Sequence, residues 1–212
     1  MTQGSEVCII DYGMGNLSSV ISALATLECR AESTSNPDDI AQARALILPG
    51  VGAFGEAMQR MRALNVIDAL SRRVLNDKAP FLGICLGMQL IGQNSTEGGL
   101  HDGLGWIEAK IDALPADAAI RVPHIGWNEV NWSEDGPINQ NVSDGSHFYF
   151  NHSYCMTSAN GCVAAIADVG KPIVAAIRKD NIWGVQFHPE KSQNNGRRLL
   201  RNFLNSAQAR KG

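Results

Sequence analysis

The residues best suited to covalent chemistry lie in Pro80-Phe-Leu-Gly83-Ile-Cys85-Leu86-Gly87-Met-Gln89-Leu90, where glycines flank a cysteine two positions away on each side. A strand that turns abruptly into a helix crowds its turning residue, and small neighbours make that tolerable. The turn would set the sulfur at the N-terminus of the following helix, where the dipole and free N–H groups favour a thiolate. A thiol nucleophile needs a base, and histidine titrates near neutrality. Of His101, His124, His147, His152 and His188, only His188 is followed two residues later by a carboxylate, Glu190. In extended chain such positions point the same way. Glu190 could then hold one imidazole nitrogen and leave the other for Cys85, with Pro189 stiffening the spacing. The charge of a tetrahedral intermediate needs N–H donors. Leu86, next after the cysteine, is placed for one, and Gly50-Val51-Gly52 is the natural source of another. Attack on a carbonyl, a thioester and hydrolysis by water are the chemistry implied. Each feature taken singly has a plainer reading: Cys85 as a buried apolar residue, His-x-Glu as a surface coincidence, Gly50–Gly52 as a turn, and Gln89 as a solvated polar residue.

The segments around these residues alternate. Val7–Asp11, Ala45–Leu48 and Phe81–Ile84 are short apolar runs, and Cys29–Ser33 is a weaker one. Helical stretches separate them, about 17–27, from Asn36-Pro37 onward, and 54–76 with a break near Asn65. Near-continuously apolar strands alternating with helices predict a parallel sheet covered on both faces, with chemistry beyond the carboxyl ends of the strands. The loops 11–16, 49–52, 85–87 and 187–192 meet that description. The second half turns to short strands, at 106–112, 128–132, 147–154, 162–168, 172–178 and 182–187, whose spacing suits antiparallel hairpins added to the parallel core. A last helix, about 195–208, carries Leu199, Leu200, Phe203 and Leu204 on one face and Arg197, Arg198 and Arg201 towards solvent. No linker or repeat divides the chain, so one domain over 1–212 is expected.

Composition narrows the function classes. A 44% hydrophobic, 18% charged composition suits a globular protein, and a net charge of -3 makes no electrostatic case for nucleic acid or an anionic membrane. No apolar run approaches the ~20 residues of a membrane helix. Met1–Glu6 lacks the basic and apolar parts of a signal peptide, which points to the cytoplasm. Cys8, Cys29, Cys85, Cys155 and Cys162 form no C-x-x-C pair, so neither zinc nor a redox dithiol is indicated, and no cofactor or metal is expected.

Three blocks, Pro49–Gly52, Gly83–Leu90 and Val185-Gln-Phe-His188-Pro-Glu190, occur in the order found in class I, triad-type glutamine amidotransferases, and the chain resembles that family over almost its whole length. More narrowly, Asp11-Tyr-Gly-Met-Gly-Asn16, Pro123-His-Ile-Gly-Trp-Asn128, Tyr149-Phe-Asn-His-Ser153 and His188–Ser192 are similar to the glutaminase subunits of imidazole glycerol phosphate synthases. The resemblance implies a flavodoxin-like, mostly parallel open sheet with antiparallel strands in the C-terminal half. It implies Cys85 as nucleophile, His188 as general base and acid, and Glu190 as its orienter. It implies an oxyanion hole from Leu86 and the Val51–Gly52 segment, and substrate contacts at Gly52 and Gln89. It implies L-glutamine as substrate and, as heterodimer partner, a (β/α)8-barrel cyclase subunit that consumes the ammonia. Asn16, Trp127 and Lys191 are then expected to face that partner, although Trp127 alone would read as a partly buried strand residue. The alternatives are a triad glutaminase of another pathway, such as pyridoxal phosphate synthesis, a cysteine hydrolase on the same sheet, and a silent binding module.

Overall fold

The computed structural model describes residues 7–114, 121–133 and 135–209. The reading of Met1–Glu6 lies outside the described residues. Through the first half, strand and helix alternate: β1 (Val7–Ile10), α1 (Leu17–Ala25), β2 (Ala31–Thr34), α2 (Pro37–Gln42), β3 (Leu46–Gly50), α3 (Phe54–Ala63), α4 (Val66–Ser71), β4 (Phe81–Cys85) and α5 (Leu86–Leu90). Local chemistry starts the first helices. Asn16 accepts from Ser19 N–H at 3.4 Å to cap α1, and Asn36 accepts from Asp38 N–H at 3.0 Å ahead of Pro37. The expected break falls between α3 and α4, where Asn65 takes a left-handed φ of 55°.

The second half comprises β5 (Asn94–Ser95), β6 (His101–Asp102), β7 (Ala109–Ala113), β8 (His124–Trp132), β9 (Ser146–His152), β10 (Tyr154–Ala159), β11 (Val163–Asp168), β12 (Pro172–Lys179), β13 (Ile182–Val185) and α6 (Gln193–Ala209). The large sheet runs β2-β1-β3-β4-β13-β12-β11-β8-β9. It is parallel from β2 to β13 and antiparallel from there on.

Three expectations need correction. β13 makes the expected hairpin with β12, yet it also pairs parallel with β4 and so completes the parallel core. The single strand expected over 147–154 is two: β9 belongs to the large sheet, while β10 pairs with β7 in a second sheet ordered β10-β7-β5-β6. Hydrophobic periodicity records which face is buried and is blind to a change of sheet. The strand expected from Trp106 begins at Ala109, because Trp106 N–H turns back to Ile91 O at 3.0 Å.

Alternate residues of the central strands feed two cores. Val7, Ile9, Ile47 and Ile84 pack on one face of the sheet, and Cys8, Ile10, Leu46, Leu48 and Phe81 on the other. Both faces are apolar, which is why these strands read as continuous runs. α6 closes the first face with Leu199, Leu200, Phe203 and Leu204, and Phe203 meets Trp183 edge-on at 6.1 Å.

Candidate active site

β1, β3, β4 and β13 lie side by side and run parallel, so the loops that follow them share one edge of the sheet. Cys85 ends β4 with φ 54° and ψ -110°, a conformation that only tight surroundings maintain. The glycine after it permits the bend: a Cβ on Gly87 would run into the Leu48 carbonyl oxygen of β3. Leu86 N–H, at the first position of α5, has no carbonyl within the helix to bond.

The loop after β1 supports the Gly50–Gly52 segment. A Cβ on Gly50 would strike the Tyr12 hydroxyl, and one on Gly52 would lie 2.8 Å from the Met14 side chain. Val51 N–H donates to Met14 O at 3.3 Å. In this conformation that amide is directed at the β1 loop and is not offered to the cavity. Tyr12 is buried, and burial followed by the nearby Cys85 pushes its hydroxyl far above the ordinary phenol range.

His188 and Glu190 meet as the sequence spacing suggests, though not through extended chain. Pro189–Lys191 form a 3-10 turn, begun by His188 itself in an extended conformation. His188 Nδ1 bonds Glu190 Oε1 at 2.8 Å, and both side chains are only 2% exposed. His188 N–H donates to Tyr149 O at 2.8 Å, and Ser192 Oγ donates to His188 O at 2.6 Å. A carboxylate only accepts, so Nδ1 carries the proton and Nε2 remains for the cysteine side. Nε2 has no hydrogen bond of standard geometry among the described residues. Burial disfavours the imidazolium, but the Cys85 sulfur and then the Glu190 carboxylate outweigh it, raising the imidazole to about 10.

Beside Cys85 opens a cavity of ≈ 450 Å³, lined by Val51, Gly52, Leu86, Gln89, Glu97 and Tyr154 among others. That is room for a single amino acid at the small end of ligand cavities. The Cys85 sulfur lies 3.8 Å from Asn151 O and 3.7 Å from Gln186 Nε2. Gln89 is not solvated, as its plainer reading had it. It is 4% exposed and donates to Tyr154 O at 2.8 Å and Gln186 Oε1 at 3.0 Å. Both its amide hydrogens are thus engaged, so towards the cavity it can only accept.

Four neighbours of the site had been given no role of their own: Glu97, Asn151, His152 and Gln186. Glu97 is the carboxylate lining the cavity, and its Oε2 accepts from Phe54 N–H at 2.8 Å. His152 Nδ1 lies 2.9 Å from Tyr154 O, and its Nε2 lies 3.0 Å from His124 Nδ1. The carbonyl can only accept, so His152 donates from Nδ1 and accepts at Nε2. Burial above all depresses His152 to about 4. Gln186 had a signal in the sequence through its place in the block ending at Glu190, and Asn151 and His152 through theirs in Tyr149–Ser153, whereas Glu97 had none.

The residues expected to face a partner are placed differently. Asn16 Oδ1 is engaged in capping α1. Trp127 is 46% exposed on β8 and meets Tyr149 edge-on at 6.2 Å. Lys191 Nζ lies 5.7 Å over the same Tyr149 ring, whose centroid is 6.4 Å from His188. Tyr149 thus stands between the exposed pair and the buried imidazole. Among the described residues no helix is long and apolar enough to cross a membrane, and no group of His, Cys, Asp and Glu could hold a metal ion.

The sequence profile of the family described as glutamine amidotransferase class-I matches residues 8–207. The imidazole glycerol phosphate synthase subunit HisH 1 of Campylobacter jejuni (strain RM1221) is 43% identical over 93% of this chain and 98% of its own length. The chain belongs to the class I glutamine amidotransferases, in the HisH subunit family. The HisH subunit of Zymomonas mobilis is 43% identical over 94% of this chain and 95% of its own. A crystal structure of a glutamine amidotransferase superposes with a TM-score of 0.75 at 20% identity, covering 96% of this chain and 99% of the other, a likeness of fold. The parallel core extended by antiparallel strands is thus the architecture of the family.

Proposed function

We propose that the whole chain acts as one domain that hydrolyses L-glutamine through a thioester on Cys85. The observation that carries this reading is His188, bonded to Glu190 at 2.8 Å through one nitrogen and turning the other towards a cysteine at a strand-to-helix turn. With the Cys85 proton taken up by His188 Nε2, the sulfur attacks the carboxamide carbon, and the carbonyl electrons move onto oxygen. His188 Nε2–H protonates the departing nitrogen as the C–N bond breaks, and ammonia leaves a glutamyl thioester. His188, now neutral, takes a proton from water, whose oxygen attacks the thioester carbon. Glutamate departs as the C–S bond breaks, and the proton returns the site to its starting state.

Leu86 N–H and the Val51–Gly52 segment are the proposed oxyanion donors, and removing one such donor typically costs ~10²–10³ in rate. Gln89 Oε1 accepts from the substrate, and Gly52 lets its backbone approach closely. The Glu97 carboxylate suits the substrate's ammonium group. With Val51 N–H held by Met14 O, the uncoupled site is one donor short, and turnover without a partner is low.

The partner is a cyclase subunit of the (β/α)8-barrel type, which takes up ammonia before water protonates it. Together they would convert glutamine and a phosphoribulosyl-formimino carboxamide nucleotide into imidazole glycerol phosphate, an aminoimidazole carboxamide ribonucleotide and glutamate, in histidine biosynthesis. The names of the relatives support this over pyridoxal phosphate synthesis. Asn16, Trp127 and Lys191 are the proposed contacts, and the cytoplasm the proposed location. Glutamine hydrolysis with and without the cyclase tests the reading. Wild type should accelerate on adding cyclase and its nucleotide, and Cys85→Ala should be inert in both. Activity persisting in Cys85→Ala would sink it.

A further inference from the structure

We propose that Gln186 is a further catalytic residue, whose Nε2–H donates to the Cys85 sulfur and holds it as the thiolate, with Tyr154 O and Gln89 fixing which end of the Gln186 amide faces the sulfur. The inference rests on the reading of Cys85 as nucleophile and adds a donor to it.

The orientation follows from a single acceptor. A backbone carbonyl cannot donate, so the Gln89 atom 2.8 Å from Tyr154 O is its NH2 group. The same nitrogen lies 3.0 Å from one end of the Gln186 amide. That end must accept, so it is the oxygen. The other end, 3.7 Å from the sulfur, is then Gln186 NH2. An amide is otherwise as able to present oxygen as nitrogen, and oxygen would repel a thiolate. Gln186 is 0% and Gln89 4% exposed, so water cannot take over either bond. A buried donor aimed at a charged acceptor is among the stronger hydrogen bonds of a protein. Tyr154 O also lies 2.9 Å from His152 Nδ1, so one carbonyl anchors both the glutamine pair and the neighbouring imidazole. Cys85 thus has the His188 imidazolium on one side and a fixed neutral donor on another.

The test is the pH dependence of Cys85 alkylation by iodoacetamide in the full chain, read on the Cys85 peptide by mass spectrometry, beside glutamine turnover with the cyclase. Gln186→Met keeps the length of the side chain and removes the donor. Its alkylation profile should move to higher pH by about one unit, with roughly tenfold slower alkylation on the rising limb of the profile, the effect of losing one hydrogen bond to a charge. kcat should fall with it while KM stays within about twofold, since the bond is to the nucleophile and not to glutamine. Gln89→Glu should move the profile the same way without touching residue 186, because a carboxylate cannot donate to Gln186 Oε1 and the amide turns over. An unmoved profile in folded Gln186→Met overturns the proposal. If that variant does not fold, Gln186→Glu is read instead, and a profile coinciding with wild type overturns it equally. Cys85→Ala separates the two levels: turnover surviving there defeats the nucleophile assignment, whereas a normal Gln186 variant beside an inert Cys85→Ala defeats only this inference.

Discussion

Cys85 combines a strained backbone, φ 54°, with a side chain packed among the atoms it would react through. Strain of this kind costs about 1–3 kcal/mol and is kept only where the surroundings over-determine it. Cys85→Ala should therefore fold as wild type while losing glutamine hydrolysis by orders of magnitude, ~10⁶ in comparable triads; circular dichroism and ammonia release check the two halves. Glu190 lies on the other side of the imidazole, and Glu190→Gln keeps the shape and removes the charge. A drop in kcat of about 10²–10⁴ is expected, measured as ammonia release at saturating glutamine. The same substitution has a pH signature. His188 is raised from 6.5 to about 10, so its contribution to stability is full below its ordinary value and is lost as pH rises through about 10. Thermal unfolding of wild type should weaken across that interval, and Glu190→Gln should flatten the decline.

At the scale of elements, the site depends on two strands approaching a helix closely. A methyl on Gly87 would enter the Leu48 carbonyl, so Gly87→Ala should force β3 from β4 and cost at least about 1–3 kcal/mol of stability in denaturant unfolding. Phe203→Ala, which opens a void beneath α6, should cost about 3–5 kcal/mol in the same measurement, with the triad chemistry itself untouched. β8 and β9 are joined by the His124–His152 bond at 3.0 Å, in which neutral His152, donating from Nδ1 to Tyr154 O, accepts at Nε2. The native chain therefore resists protonation of His152 down to about 4, whereas the unfolded chain takes up the proton near 6.5. Stability should fall as pH is lowered between those values, by roughly 3 kcal/mol for a shift of this size, and His152→Gln should remove most of that slope. A wild-type unfolding profile that is flat over the interval would contradict the assignment of the bond.

For the whole molecule, two of the proposed partner contacts, Trp127 and Lys191, lie outside the chemistry and both meet Tyr149, whose ring neighbours His188. Trp127 is 46% exposed, so Trp127→Ala should leave the melting temperature nearly unchanged. Removal of a tryptophan anchor from an interface typically costs 2 kcal/mol or more, so cyclase affinity should drop about 30-fold, measurable by titration calorimetry. Equal affinity of wild type and variant would remove Trp127 from the interface. Lys191→Ala tests coupling separately: glutaminase activity without cyclase should change little, while the acceleration on adding it is reduced.

The amino-acid sequence by itself determined what is local. The strand-to-helix turn at Cys85 follows from Gly83 and Gly87, because steric permission is a property of neighbours in the chain. The pairing of His188 with Glu190 follows from two-residue spacing, which survived although a 3-10 turn replaced extended chain. The parallel core was legible because β1, β3 and β4 are apolar on both faces. What remained hidden was set at a distance. Periodicity did not reveal that β9 and β10 enter different sheets, or that β13 pairs beside β4. Gln89 read as a solvated residue because its partners, Tyr154 and Gln186, stand 65 and 97 positions away. Which way an amide points, whether Val51 N–H faces the cavity or Met14, and which imidazole nitrogen bears a proton are decided by acceptors that only folding brings within 3.5 Å. Residue types carry the capacity for chemistry, and the direction of each hydrogen bond is a property of the assembled structure.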